Sequence, residues 1–131
     1  MRVRCLTNRP TEAQVRRLGS AFKPGKTEFV VEPGHEYTVL GLSFRQGEPW
    51  FELHVPIRVI ASFPALLFEI VDTTVSRYWQ IRIDEDGTVR LWPPQFYQEY
   101  FIDDFSNGKA DVVEELATIE ARIEAGASVA S

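Results

Sequence analysis

Apolar and polar residues alternate through the middle of the chain, from Glu28 to Trp92, and each alternating stretch ends at residues that favour turns. A period of two is typical of a β-strand with one buried face. The pattern predicts five or six short antiparallel strands joined as a meander, with the clearest strands at 36–44, 50–55, 78–83 and 88–92 and short apolar runs at 29–31 and 66–71. Prolines bracket the segment 57–63, which is therefore predicted to be an edge strand or an ordered loop.

Two turns divide this pattern. At 32–35, Pro33 presets φ for the first central position and Gly34 accepts a positive φ at the second, which is typical of a type II turn. We expect a hairpin to close there, between the run at 29–31 and the strand that follows. The Asp- and Gly-containing segment 84–87 predicts a second hairpin, between the last two strands.

Helices are predicted on both sides of the strands. The segment 11–18 begins with Thr11 as a candidate N-cap and stops at Gly19, which indicates a short N-terminal helix. The segment 112–125 is the stronger C-terminal helix, preceded by Asp111, ended by Gly126 and carrying one apolar stripe of Val112, Leu116, Ile119 and Ile123. A brief helical segment is also expected after the prolines at 93–94.

Strands flanked by helices indicate an α+β fold, either a strongly bent sheet or a small SH3-like open barrel. The 131 residues suit a single domain spanning 1–131. It divides into a basic segment 1–26, a β-rich core 27–97, an acidic aromatic segment with the C-terminal helix at 98–126, and a tail 127–131 that we expect to fray. No apolar run is long enough for a membrane helix and the first residues lack the apolar region of a signal peptide, so we expect a cytoplasmic protein.

Charge is sorted along the chain. The first 26 residues carry seven basic side chains and one acid, whereas residues 98–131 carry eight acids and two basic side chains. Such separation steers a charged partner or draws the two ends of the chain together, within one molecule or across a homodimer. Both alternatives follow from the sequence.

No residue set indicates a reaction. The two histidines, His35 and His54, fall on a predicted turn and a predicted strand, and no sequence feature pairs either with a carboxylate. Together with Cys5, the one cysteine, they are too few to predict a zinc site. The Gly-Lys-Thr string at 25–27 lacks the first glycine of a phosphate-binding loop, and the acidic middle of the chain would repel nucleic acid. We therefore expect no catalytic residues, cofactor, metal or nucleic-acid partner.

The segment after the last predicted strand is the strongest candidate for function, because it interleaves large aromatic rings with acids. Aromatic anchors surrounded by charge of one sign are typical of protein interfaces. The predicted partner-binding residues are Phe96, Tyr97, Glu99, Tyr100, Phe101, Asp103 and Asp104. The structural alternative is that the rings cover one end of the sheet while the acids remain solvated.

A second candidate site follows from the tryptophans. Trp50, Trp79 and Trp92 lie on separate predicted strands and, together with His54, are candidates for lining a small-molecule pocket. The alternative is that these large rings fill the core.

The sequence resembles a small family of single-domain bacterial proteins of uncharacterised function. The resemblance is carried by the segments 5–8, 34–42, 67–72 and 76–79, and by 99–101 together with Asp103 and Asp104. Some small acidic bacterial domains of this kind are toxin-immunity proteins, which bind a toxin and perform no chemistry. The resemblance thus implies a non-enzymatic protein that binds a basic partner such as a toxin.

Overall fold

The computed structural model describes residues 1–19, 22 and 27–128, and these form two antiparallel sheets with helices. The eight strands in this part of the chain are β1 (Arg2–Cys5), β2 (Glu36–Thr38), β3 (Gly41–Arg45), β4 (Glu48–Val55), β5 (Val59–Pro64), β6 (Phe68–Asp72), β7 (Gln80–Ile83) and β8 (Val89–Trp92). The helices are α1 (Glu12–Leu18), α2 (Phe101–Ser106) and α3 (Ala110–Ser128), with short 3-10 helices at Ala65–Leu67 and Pro94–Tyr97.

The strands form one three-stranded sheet in the order β2–β1–β6 and one five-stranded sheet in the order β5–β4–β3–β8–β7. Every pairing is antiparallel. The predicted α+β class, with antiparallel strands and a C-terminal helix, is confirmed. The strands do not form a single meander, since β1 and β6 lie in a separate sheet from the hairpins.

The strand β1 was not predicted, and it is the centre of the three-stranded sheet. Val3 pairs with Tyr37 of β2 on one side and with Ile70 of β6 on the other. Val3 and Cys5 are buried, while the arginines between them are partly exposed. The period of two was present in Arg-Val-Arg-Cys, but a four-residue strand this rich in charge is a weak signal.

The strand predicted at 36–44 is broken at Val39 and Leu40, which are both buried. The amide of Val39 donates to the carbonyl of Met1, and the amide of Leu40 donates to the carbonyl of Glu52. The chain therefore leaves the three-stranded sheet and enters the five-stranded sheet at these two residues. The apolar positions change from odd to even residue numbers at the break, a signal that the single predicted strand overlooked.

The turn at Pro33 and Gly34 is present, but the hairpin predicted there is wrong. Gly34 has φ +85°, and the amide of His35 donates to the carbonyl of Glu32 at 3.0 Å. The residues before the turn form no strand; instead, the amide of Gly34 donates to the carbonyl of Cys5. The turn that precedes β2 is thus hydrogen-bonded to the end of β1, a strand far away in sequence.

The second predicted hairpin and the predicted edge strand are confirmed. The chain reverses between β7 and β8 as expected, with the amide of Asp84 donating to the carbonyl of Thr88. Strand β5 lies at the edge of the five-stranded sheet and ends at Pro64, as the bracketing prolines predicted. A tight turn at Gln46 and Gly47, which both have positive φ, joins β3 to β4.

Two apolar cores hold the elements together. One lies between the two sheets and includes Val3, Phe51 and Phe68. The other lies under the C-terminal helices, where the predicted stripe of α3 is buried, and consists of Leu40, Ile60, Phe96, Phe101, Phe105, Val112, Leu116, Ile119 and Ile123. Leu40, at the break between β2 and β3, belongs to the second core. The point where the chain passes from one sheet to the other therefore lies under the helices.

The helix α3 is longer than predicted, since Gly126 lies within it. Of the tail predicted to fray, residues 129–131 lie outside the described part of the chain, as do residues 23–26 of the basic segment. Within the described residues, no helix is both long and apolar enough to cross a membrane.

Helix α1 has the predicted N-cap. The Thr11 hydroxyl accepts from the amide of Gln14 at 3.2 Å, and the Gln14 side chain accepts from the amide of Thr11 at 2.8 Å. This reciprocal capping box satisfies two amides that a helix leaves unpaired. The seven-residue helix buries only Val15, so the cap is a large part of what fixes it.

Replacing Thr11→Ala removes the side-chain acceptor, and we expect the free energy of unfolding to fall by about 1 kcal/mol. Urea denaturation followed by circular dichroism measures this change. Thr73→Ala is the matched control, because Thr73 is exposed in the loop after β6. Equal stability of the two variants would contradict the role given to the cap.

Candidate functional site

Two of the predicted partner-binding rings lie in the core instead of on the surface. Phe96 and Phe101 are buried, with ring centroids 5.8 Å apart, and Phe105 is buried one turn further along α2. Residues four apart lie on the same face of a helix, so Phe101 and Phe105 point inward together. The assignment of Phe96 and Phe101 to a partner surface is corrected accordingly.

Tyr97 is half-buried and bound to the five-stranded sheet. Its ring stacks on Trp92 with centroids 5.3 Å apart, and its hydroxyl donates to the carbonyl of Gln80 at 2.7 Å. The guanidinium of Arg82 lies 4.2 Å from the centre of the ring. These contacts make Tyr97 a structural residue at the rim of the sheet.

The remaining predicted residues are accessible. Tyr100 is 63% exposed and adopts φ +69° at the residue before α2, while Glu99 and Asp103 are exposed and Asp104 is half-buried. Further acids continue along the first turns of α3. We call the group the acidic surface: Glu99, Tyr100, Asp103, Asp104, Asp111, Glu114 and Glu115.

The arginines of the basic segment do not neutralise this surface. Their described ion pairs, apart from one within α1, are with acids of the β-rich core: Arg2 and Arg4 with Glu36, Arg4 with Glu69, Arg9 with Glu28, and Arg17 with Glu48. Hydrogen bonding from Arg4 is the main cause that lowers the pKa of Glu36. Among the described residues, no ion pair joins the basic segment to an acid of 98–126.

One indirect link connects the two ends of the chain. The Arg2 guanidinium donates to the Thr38 hydroxyl at 3.2 Å, and that hydroxyl donates to the Glu124 carboxylate at 2.9 Å. The link reaches the last turns of α3 and leaves the acidic surface untouched. Within one molecule, the basic segment is therefore paired with acids of the β-rich core and not with the acidic surface.

The three tryptophans have separate roles. Trp79 is buried and its indole N–H donates to the carbonyl of Leu40 at 2.8 Å. Trp50 is buried beneath the guanidinium of Arg45, which lies 5.1 Å from its ring. Trp92 is half-buried against Tyr97. Of the predicted pocket residues, His54 alone lines the cleft that brings the two histidines together.

A cleft brings the two histidines of the chain together. Its walls come from β2 and the turn before it, from the end of β4 with the turn that follows, and from α3, and its volume is about 430 Å³. We call it the histidine cleft. Its lining includes His35, Glu36, Leu40, His54, Arg58 and Glu120, with Pro56 and Ile57 at the rim. A neighbouring cleft of about 570 Å³ shares Tyr37 and Pro56 with it.

One hydrogen bond fixes the His54 ring. Its Nδ1 lies 2.8 Å from Oε1 of Glu120, and its edge packs against Phe105 with centroids 5.1 Å apart. A carboxylate on one ring nitrogen orients the imidazole and leaves Nε2 as the atom for a further partner. The two residues are 66 positions apart, so no local sequence feature could have predicted the pair.

The cleft offers binding groups rather than a complete reaction centre. No serine or cysteine is among its lining residues, and the hydroxyl of Thr38 is already donated to Glu124. In the described part of the chain, no group of three or more His, Cys, Asp or Glu side chains is placed to hold a metal ion.

A buried carboxylate, Glu52, lies on the face of the five-stranded sheet nearest the helices. It is 3% exposed, accepts from the Ser62 hydroxyl at 2.5 Å, and lies 3.7 Å from the guanidinium of Arg45. Burial raises the pKa of Glu52, and Ser62 and Arg45 offset only part of that effect. No feature of the strand at 50–55 had marked this residue as special.

Comparison with known proteins finds no match: no family model, no curated protein and no solved structure corresponds to this chain. The resemblance to a small family of uncharacterised bacterial proteins, and the toxin-immunity role inferred by analogy, therefore stay predictions.

The raised pKa of Glu52 predicts a pH-dependent stability. The folded protein holds this proton more tightly than the unfolded chain, so its contribution is complete below the ordinary value of 4.5 and is lost as pH rises through the folded-state pKa. Glu52→Gln stays neutral at every pH. We expect its free energy of unfolding, relative to the wild type, to be higher at pH 7 than at pH 4.

Urea denaturation at both pH values measures this difference, with Glu85→Gln, in the exposed turn before β8, as the control. A relative stability of Glu52→Gln that is the same at pH 4 and pH 7 would show that the carboxyl is not held protonated by burial.

Proposed function

We propose that this protein is a non-enzymatic binding module that presents the acidic surface to a basic protein partner. One observation carries the proposal. The side chains of Glu99, Asp103, Asp111, Glu114 and Glu115 have no ion pair in the described part of the chain, although five arginines of the basic segment are engaged elsewhere. These five acids thus keep their charge available to another molecule, whereas Oδ2 of Asp104 lies 3.9 Å from Nζ of Lys109.

The acidic surface has the two properties that an interface uses. Unpaired charge of one sign accelerates encounter with an oppositely charged partner and disfavours other partners. Tyr100 adds an exposed ring next to those charges, and tyrosine is among the residues that contribute most to binding energy at interfaces. The buried rings of Phe101 and Phe105 support α2 from beneath, so the surface rests on a packed element.

A bacterial toxin with a basic surface is the partner class that we favour, acting in the cytoplasm. The resemblance noted in the sequence supports this class, and so does the lack of a complete reaction centre among the residues of the histidine cleft. An immunity protein binds its toxin stoichiometrically and needs no chemistry of its own, which suits the charge pattern.

The double variant Asp103→Lys with Asp104→Lys tests the proposal. Reversing two charges beside Tyr100 replaces attraction by repulsion, and we expect binding of a basic partner to weaken by at least about tenfold. The partner is captured on immobilised wild-type protein from a lysate of the source organism, and binding is then measured with the purified partner. Tyr100→Asn tests the ring alone, because asparagine tolerates a positive φ.

Glu85→Lys is the matched control, since Glu85 is an exposed acid in a turn outside the acidic surface. Melting temperatures near that of the wild type establish that each variant folds. Loss of binding in the double variant with full binding of Glu85→Lys supports the proposal. Equal binding of both variants would remove the acidic surface as the interface.

A further inference from the structure

The carboxylates of the histidine cleft already have partners. The two oxygens of Glu36 accept from Arg2 at 3.5 Å and from Arg4 at 3.1 Å. Glu120 is bound to Nδ1 of His54. Each carboxylate that lines the cleft therefore has a hydrogen-bond partner within the protein.

The polar groups that are left over are nitrogens. Those of Arg58 and His35 can donate, whereas Nε2 of His54 accepts as long as Nδ1 directs the one ring proton toward Glu120. In the described part of the chain, no hydrogen bond or ion pair involves the guanidinium of Arg58, the ring of His35 or Nε2 of His54. Arg58 adopts φ +48° in the turn between β4 and β5, and its guanidinium packs beside Gly108 in the loop before α3. Backbone and packing thus hold this cation at the edge of the cleft.

Three of the lining residues are apolar. Leu40 is buried, and Pro56 and Ile57 form the rim, where Ile57 is 81% exposed. An apolar wall beside a few convergent polar groups is typical of a small-molecule site, and a volume of about 430 Å³ lies within the usual range for one.

We propose that the histidine cleft binds a small organic anion, whose carboxylate or phosphate is held by Arg58 and His35 beside the ring of His54 and whose apolar part lies along Ile57 and Leu40. Guanidinium and imidazole groups are common ligands of these oxyanions. An amine would find the carboxylates of the cleft already paired and would face the positive charge of Arg58. The site is separate from the acidic surface and does not depend on the function proposed for it.

Four probes separate the features of the ligand: benzoate, phenyl phosphate, inorganic phosphate and benzylamine. Isothermal titration calorimetry of the wild-type protein is expected to show that benzoate or phenyl phosphate binds more tightly than about 1 mM, whereas benzylamine, with a similar ring and opposite charge, does not bind. Benzoate binding identifies a carboxylate site, and binding of the two phosphates alone identifies a phosphate site. Absence of binding by every anion, or equal binding of benzylamine, overturns the proposal.

The chain has two histidines, so NMR provides a clean local readout. The imidazole signals of both are expected to shift when the binding anion is added to wild-type protein, with His35→Gln providing the assignment. Unshifted signals during a titration that shows binding would place the anion elsewhere and overturn the proposal. This measurement needs no variant of Arg58.

Arg58→Gln removes the cation, and we expect anion affinity to fall at least about tenfold, with partial recovery in Arg58→Lys. Arg77→Gln is the control, because Arg77 is an exposed arginine in the loop before β7. The proposal predicts full anion affinity for this variant. Unchanged affinity in a folded Arg58→Gln variant would overturn the assignment.

Discussion

The arginines on the central strand of the three-stranded sheet are neutralised by acids of the strands on either side. Arg4 of β1 lies directly opposite Glu36 of β2 and Glu69 of β6, and its guanidinium reaches both carboxylates. Opposite charges facing each other across paired strands are favourable, whereas uncompensated arginines on a central strand would repel one another. Each pair is partly exposed and contributes little stability on its own. The larger consequence is that these arginines are no longer available to other acids.

The pairing of the basic segment with acids of the β-rich core separates the molecule into two electrostatic regions. The basic segment and the β-rich core compensate each other, and the negative charge of the chain then concentrates at α2 and the start of α3. The apolar stripe of α3 and the rings of Phe101 and Phe105 fix these helices on the second core, so their acids face solvent on a supported surface. The same helix supplies Glu120 to the histidine cleft, and packing of α3 thereby builds both candidate sites.

Sequence reasoning succeeded where a local pattern had a single physical interpretation. The stripe of α3, the cap at Thr11 and the hairpin between β7 and β8 were predicted from periodicity and turn chemistry, and each is present. It failed where the outcome depended on distant partners. The strand β1 forms because β2 and β6 flank it. At Val39 the phase of the alternation does change, but the pairing of the two halves with different sheets is what makes this a break between strands.

The candidate sites show the same limit. Aromatic rings next to acids resembled an interface. Helical spacing, however, places Phe101 and Phe105 on the inner face of α2, and the composition of the segment does not reveal that spacing. The histidine cleft unites residues from β2, β4 and α3, separated by up to 85 positions along the chain. The topology of the two sheets brings these residues together, so no sequence motif could have predicted the site.

Carboxyl-carbon NMR of the wild type and of Arg4→Gln tests the central claim, that the basic segment is committed to the β-rich core. The account predicts that the signals of Glu36 and Glu69 move, with a rise in the pKa of Glu36 once its hydrogen bond from Arg4 is lost, while those of Glu99 and Asp103 keep their positions. Comparable changes at Glu99 and Asp103 would show that the arginines of β1 act on the acidic surface, and would contradict the account.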